Sequence, residues 1–235
     1  MYRRRRGAPL SDQGSADQGS PDSALSGVNF EKVRLRTQMR AARRQLGPLA
    51  QEQASNTLLT HALSSHWFAS GMHVAAYWAA TSELSLKPLL ELLLARGVFL
   101  YLPHIEADGA MQFSRYHGEA SLAPGRYGIL SPFLYKPDPH AASASAVPSF
   151  DLILLPLLAF DAHGHRLGQG GGYYDRYLQT LDTAKPMRVG VAYFFQGVES
   201  VPTESFDEKL DAVITERGVL RIADSRIWLN ACVAK

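Results

Sequence analysis

"DLILLPLLAFDAHGHRLGQGGGYYDRYL", Asp151 to Leu178, opens with nine apolar residues, Leu152 to Phe160, and then changes character completely. A polar turn around Gly164 leads to Arg166, and Gly168, Gly170, Gly171 and Gly172 follow within five positions. Tyr173, Tyr174 and Asp175 then open a segment that reads as a helix over 173–181. The apolar run is half the ~18 residues that a bilayer span requires, so it reads as a strand buried on both faces. A strand, a glycine-rich loop and a helix in that order form half of a parallel α/β unit.

The rest of the chain repeats the alternation. Further strands are read in "GMHVAAYWAA" (71–80), "VFLYLP" (98–103), "MQFSRYH" (111–117), "MRVGVAYFF" (187–195) and "DAVIT" (211–215). Helices are read over 50–66, in "SLKPLLELLLARG" (85–97, closed by Gly97) and in "FEKVRLRTQMRAARRQLG" (30–47). The last carries Leu35, Met39, Ala42 and Leu46 on one stripe, with Lys32, Arg34, Arg36, Arg40, Arg43 and Arg44 assigned to the opposite face. Strands that read as continuous apolar runs, alternating with helices, predict an α/β fold: a single compact domain with a largely parallel central sheet flanked by helices. Such sheets bind ligands at the carboxyl ends of their strands. Residues 118–149, rich in Pro, Gly, Ala and Ser, read as a long irregular connection, a length that usually serves function.

Composition narrows the classes of function. The 235 residues are 46% hydrophobic and 20% charged, and the formal charge of +2 gives no general attraction for nucleic acid or membrane. Cys232 is the single cysteine, which excludes a disulfide framework and a cysteine metal site and suits a reducing, cytoplasmic setting. "MYRRRR" is followed by a polar Asp-Gln-Gly-Ser-rich segment and not by the apolar region of a signal peptide. Residues 1–27 are therefore read as a disordered basic and polar tail, 28–222 as the folded domain and 223–235 as a C-terminal extension. Arg3 to Arg6 leave open an RNA-binding tail, which would show as salt-sensitive affinity lost on deleting 1–27.

Two readings of the glycine stretch stand on composition alone. Amides at a helix N-terminus, with Arg166 alongside, surround an anion such as a phosphate, and Asp175 lies where it could hold a magnesium ion sharing the phosphate oxygens. Alternatively the glycines make a tight turn and Tyr173 and Tyr174 are core aromatics. The stretch lacks the Lys-Ser/Thr of one familiar phosphate loop and has Tyr173 where the dinucleotide fingerprint has glycine.

The whole string resembles the signature of the 5-formyltetrahydrofolate cyclo-ligase family, also called 5,10-methenyltetrahydrofolate synthetase: a buried strand with a proline, Phe-Asp, a glycine turn and Arg-Leu-Gly-x-Gly-x-Gly-Tyr-Tyr-Asp. "KVRLR" (32–36), "TSELSLKPLL" (81–90), "GRYGILSP" (125–132) and "VPTESFDEKLDAVITERG" (201–218) extend the resemblance over roughly 30–217. It implies an architecture like that of sugar-phosphate isomerases and CoA transferases. It implies a monomeric enzyme of small molecules that uses ATP and Mg2+ to close the formyl group of 5-formyltetrahydrofolate onto N10, giving 5,10-methenyltetrahydrofolate, ADP and phosphate, with no membrane or nucleic-acid partner. Its nucleotide site maps onto Lys32, Arg36 and the run Arg166, Leu167, Gly168, Gln169, Gly170, Gly171, Gly172, Tyr173 and Tyr174. Magnesium maps onto Asp175 and Asp207, with Asp211 as the runner-up. The folate maps onto Trp78, Glu83 and Gln169 to Tyr173, and Tyr174 with Arg166 is expected to orient the transferring group. Other readings stay open for these residues: a solvated face for Lys32 and Arg36, a helix cap for Glu83, a core position for Trp78. Arg115 and Lys136 are candidates to meet a polyglutamate tail. Family members often carry a basic or aromatic residue where Gln169 stands and in some a lysine where Gly171 stands, so side-chain contacts at these two positions depart from the pattern. A non-catalytic folate or nucleotide binder is the competing class.

Overall fold

A computed structural model describes residues 21–132, 149–181 and 186–222, with side chains from Gly27 onward. The strand–loop–helix unit builds its centre. β1 (His73–Ala75), β2 (Phe99–Ile105), β3 (Met111–Arg115), β6 (Leu152–Pro156), β9 (Met187–Val191), β10 (Ala212–Thr215) and β11 (Gly218–Arg221) form one sheet in the order β11-β10-β9-β6-β1-β2-β3. The four internal pairings, β2–β1, β1–β6, β6–β9 and β9–β10, are parallel, and each edge is closed by an antiparallel partner, β3 and β11. The fold is thus the mostly parallel, helix-flanked single domain expected.

Both faces of the central strands are apolar because both are covered. Leu152 and Leu154 face a core shared with α2 (Pro48–Ser64) and α3 (Lys87–Ala95), through Leu58, Ala62, Leu89, Leu90 and Leu93. Ile153 and Leu155 face the other way, onto Leu178 of α4 (Tyr173–Gln179) and onto Tyr101, Phe113 and Phe150. Each such buried side chain is worth roughly 1.5–3 kcal/mol, so neither face tolerates a polar residue. Gly190 permits the close approach of two leucines: a Cβ there would lie 2.7 Å from both Leu157 and Leu210.

Several elements differ from the sequence reading. The apolar run 152–160 is two strands. Pro156 has no N–H to continue the ladder, so β6 ends there and Ala159–Phe160 (β7) pairs instead with Arg166–Leu167 (β8) in a small hairpin. Buried Gln196 fills the break, its Nε2 donating to the carbonyls of Leu157 and Leu158 and its Oε1 accepting from the Tyr193 amide. The first expected strand is only three residues long, because after Ala75 the chain turns off to carry Tyr77 and Glu83. Within 118–132 a hairpin forms from β4 (Leu122–Pro124) and β5 (Leu130–Pro132), and β11 was not anticipated. α1 runs Pro21–Arg44, taking in 21–27, which had been assigned to the tail; a proline suits a helix's first turn. Residues 1–20 and 223–235 lie outside the described residues. Among the described residues no helix is long and apolar enough to cross a membrane.

Candidate active site

The basic face of α1 is not uniformly solvated. Lys32 and Arg43 are buried and Arg36 and Arg40 half-buried, whereas Arg34 and Arg44 are exposed. Positions 32, 36, 40 and 43 fall on one side of a helix, and that side lies against the glycine stretch. Burying cations is costly unless each finds acceptors. Lys32 Nζ donates to Glu204 Oε2 and Asp207 Oδ2, both at 2.7 Å. Arg36 Nε donates to the Gly168 carbonyl at 3.0 Å, and Arg40 Nη2 to the Gln169 carbonyl at 2.8 Å and to its Oε1 at 3.2 Å. Burial pulls the Lys32 pKa down, but the hydrogen bonds and charges of Asp207 and Glu204 outweigh it and leave the ammonium raised above its ordinary value.

The glycine stretch holds its shape by local constraint. Gly172, φ +63°, precedes the first residue of α4 in the left-handed region, and a Cβ there would meet Arg176 Nη1 at 2.8 Å. A Cβ on Gly170 would sit 3.5 Å from the Arg36 guanidinium. Behind the stretch, buried Arg166 donates to Asp175 Oδ1 at 2.6 Å and to the Glu208 carbonyl, and Arg188 in turn binds Glu208 Oε2 at 2.6 Å. Burial lowers the Arg166 pKa, opposed by the charges of Asp175 and Asp207. Asp175 thus pairs directly with this guanidinium, whereas Asp207 acts on it through its charge and pairs with Lys32.

Among the described residues no cluster of three or more His, Cys, Asp or Glu side chains forms a metal cage. Magnesium does not need one: it keeps waters and takes one or two carboxylates with substrate phosphates. Asp175 engages its neighbours through Oδ1 and Asp207 through Oδ2, and no hydrogen bond from a described residue reaches the second oxygen of either. The donor set fits. Asp211 is committed elsewhere, its Oδ2 accepting from the Arg188 amide at the start of β9.

Glu83 sits on the other side of Gln169. Gln169 Nε2 donates to Glu83 Oε1 at 2.8 Å, so this one side chain links the Glu83 carboxylate to the basic row of α1. Glu83 Oε2 accepts from the Ala80 amide, and Arg43 Nη1 approaches Oε1 at 3.8 Å, with both side chains buried. The charge of this carboxylate is felt by Tyr77, Tyr174 and Tyr193, of which Tyr77 and Tyr193 follow the carboxyl ends of β1 and β9. Tyr77 donates to the Leu84 carbonyl, whereas the hydroxyls of Tyr174 and Tyr193 and the Nε of Arg43 are buried with no partner among the described residues. Burial, with help from the charge of Glu83 and against that of Arg166, pushes the Tyr174 phenol well above its ordinary pKa; burial pushes Tyr193 up to about 12. Both phenols stay protonated and able to donate near neutrality. At the site's outer edge the Tyr127 hydroxyl, from the β4–β5 hairpin, meets that of Tyr173 at 2.9 Å.

The structure thus gathers Lys32, Arg36, Arg166 to Asp175, Asp207 and Glu83. Trp78 packs on Tyr116 and lines a hollow together with Tyr77, Ala79, Ser85, Leu86, Lys87 and Leu90. Arg115 is stacked 4.2 Å over Phe99 at the far sheet edge, and Lys136 lies outside the described residues. Arg43, Tyr193, Glu204 and Glu208 were missed as site residues. Arg43 carried a signal, since it lies three and seven residues beyond Arg40 and Arg36, on their side of the helix; Tyr193 lies just past β9 in an ordinary-looking apolar run and carried none.

A sequence profile of the 5-formyltetrahydrofolate cyclo-ligase family matches residues 28–216. The chain is 35% identical over 192 residues to the 5-formyltetrahydrofolate cyclo-ligase of Escherichia coli, covering 81% of this chain and 98% of that one. It is 33% identical over 182 residues to that of Haemophilus influenzae, covering 77% and 95%. Among solved structures it resembles Aquifex aeolicus 5,10-methenyltetrahydrofolate synthetase, with a TM-score of 0.68 at 32% identity over 81% of this chain and 92% of that one. With the match running from well before the glycine stretch to well beyond it, the chain belongs to the 5-formyltetrahydrofolate cyclo-ligase family, a family of ligases.

Proposed function

We propose that the chain closes the formyl group of 5-formyltetrahydrofolate onto N10, driven by ATP with magnesium, and releases 5,10-methenyltetrahydrofolate, ADP and phosphate. The observation that carries this reading is the junction at Gln169 of two unlike half-sites: a cationic half, Lys32, Arg36, Arg40 and Arg166 around 168–172, and a dry polar half around Glu83. A reaction joining a polyphosphate to a heterocycle needs both, side by side.

The chemistry follows from the residue types. A formamide oxygen leaves poorly as oxide. Transfer of the γ-phosphoryl group to it creates a phosphate ester at the formyl carbon; the N10 lone pair then attacks that carbon, the N10 proton is lost, and phosphate departs with the oxygen. Positioning and charge neutralisation are what the protein contributes to phosphoryl transfer. Lys32, Arg36 and the amides of 168–172 hold the nucleotide's phosphates, and Arg166 stands at the transferring group. Asp175 and Asp207 would hold magnesium, which screens phosphate charge when bound. Glu83 accepts hydrogen bonds from the folate ring or N10, and the Tyr174 hydroxyl, dry and protonated, donates toward the formyl oxygen. In this reading the chain works as a cytoplasmic monomer on small molecules, without a nucleic-acid partner.

Labelling the formyl oxygen with oxygen-18 tests it: the label is expected in the released phosphate, one atom per turnover, and label retained in folate or lost to water would rule out phosphorylation of that oxygen.

A further inference from the structure

Three buried cations from three different elements meet on one loop. Lys32 of α1, Arg166 of β8 and Arg188 of β9 are 5%, 7% and 7% exposed, and each has an acceptor between Glu204 and Asp211. A buried cation is costly unless its acceptors are well placed. Lys32 and Arg166 have roles in the function proposed above, whereas Arg188 has none. Its Nη1 donates to Glu208 Oε2 at 2.6 Å and to the Lys209 carbonyl at 3.3 Å. Its backbone exchanges two more bonds with Asp211: the amide donates to Asp211 Oδ2 at 2.8 Å, and the carbonyl accepts from the Asp211 amide at 2.9 Å. One residue of a central strand thus fixes 208–211.

Residue 208 carries that hold into the site. Its carbonyl accepts from Arg166 Nη1, its amide donates to Asp175 Oδ1 at 3.5 Å, and in the chain it directly follows Asp207. On the other side of Asp207 the loop closes on itself. The Asp207 amide donates to the Glu204 carbonyl at 3.1 Å, and Asp207 Oδ2 accepts from the Glu204 amide at 2.8 Å. Lys32 pins this turn through both carboxylates. Asp207 is therefore held from before by Lys32 and from behind by the Arg188–Glu208 pair, while Arg166 ties residue 208 to Asp175. Contacts of this outer kind set the aim of the groups they hold. We infer that Arg188, paired with Glu208, is a positioning residue that fixes Asp207 relative to Asp175. The inference rests on the proposed function, in which these two carboxylates hold magnesium.

The test uses a double variant, Arg188→Met with Glu208→Gln, which removes the pair and leaves the local net charge unchanged. Mn2+ is titrated calorimetrically, as the probe, into wild type and variant saturated with ADP, with folate titration and thermal unfolding alongside. The double variant is expected to bind Mn2+ about tenfold more weakly, the usual order for losing a contact that orients a metal ligand, and 5-formyltetrahydrofolate within twofold of wild type. In turnover, the magnesium concentration for half-maximal rate should rise about tenfold while kcat at saturating magnesium stays within twofold. A loss of stability alone moves neither quantity when both proteins are measured well below their melting temperatures. Mn2+ affinity within twofold of wild type in the folded double variant, or equal losses for Mn2+ and folate, would overturn the inference and leave the pair a structural one. If the double variant does not fold, Arg188→Lys decides: it keeps the charge and the bond to Glu208 but not the forked reach to the Lys209 carbonyl, so a threefold loss of Mn2+ affinity is expected and none would overturn the role. A wild type that binds no Mn2+ in the presence of ADP would instead overturn the metal site of the proposed function, a result distinct from failure in the variants.

Discussion

Replacing Lys32 with methionine tests the site's framework and its nucleotide side together. Lys32 Nζ is 2.7 Å from both Glu204 and Asp207, and the lysine side chain is 6% exposed against 18% and 17% for the carboxylates. Each charge-assisted hydrogen bond is worth about 1.5–3 kcal/mol, and breaking a fully buried pair costs about 3–5 kcal/mol. The carboxylates here retain access to water and can be partly resolvated, so the loss expected for the pair is about 2–4 kcal/mol, which lowers the melting temperature of a domain this size by about 5–15 °C. The pH dependence has a definite sign. The Lys32 pKa is raised in the folded chain, so its contribution is fully present below the unfolded value of 10.5 and fades as pH rises through the higher folded value. Wild type and Lys32→Met should therefore differ by a constant amount from pH 7 to 10 and converge above it. In binding, the variant should lose about 10- to 100-fold in ATP affinity, the worth of one lost phosphate contact, while folate affinity changes little. Thermal unfolding across pH and calorimetric titration measure both. A variant melting within 1 °C of wild type, or a difference that persists unchanged at high pH, would refute the reasoning.

Other perturbations probe single parts. Glu83→Gln should weaken folate binding about 10- to 100-fold and leave ATP binding within twofold, read by the same titrations. Asp175→Asn should raise the magnesium concentration for half-maximal turnover at least tenfold and, by weakening the pair with buried Arg166, lower stability by about 1–3 kcal/mol; an unchanged magnesium profile would remove Asp175 from the metal site. Gly172→Ala should cost about 1–2 kcal/mol in denaturant unfolding, because φ +63° is left-handed; the clash with Arg176 adds little, since that side chain can move.

The architecture was legible where the signal is local. The run 152–160 announced a strand covered on both faces, and Leu89, Leu90 and Leu93 announced a helix packed on the sheet. What local patterns do not encode is where one stretch ends against another. Pro156 stops a ladder whose partner strand begins 31 residues later at Met187, and β11 exists because Gly218 can turn back on Thr215. The site divides similarly. Its glycine stretch and Glu83 came from motif, but the partners of Lys32 lie 172 and 175 residues away, and nothing near Lys32 in sequence names them. Arg43 was assigned to the polar face because arginines are seldom buried; the carboxylate it approaches is brought to it only by the fold.

The most direct measurement is turnover: folded protein with 5-formyltetrahydrofolate, ATP and magnesium, followed by the absorbance of methenyltetrahydrofolate, with ATP and magnesium each omitted in turn. Product that appears only with all three is the predicted result. A folded protein that binds ATP and the folate and yet forms no product would contradict it and leave the site a binder without chemistry.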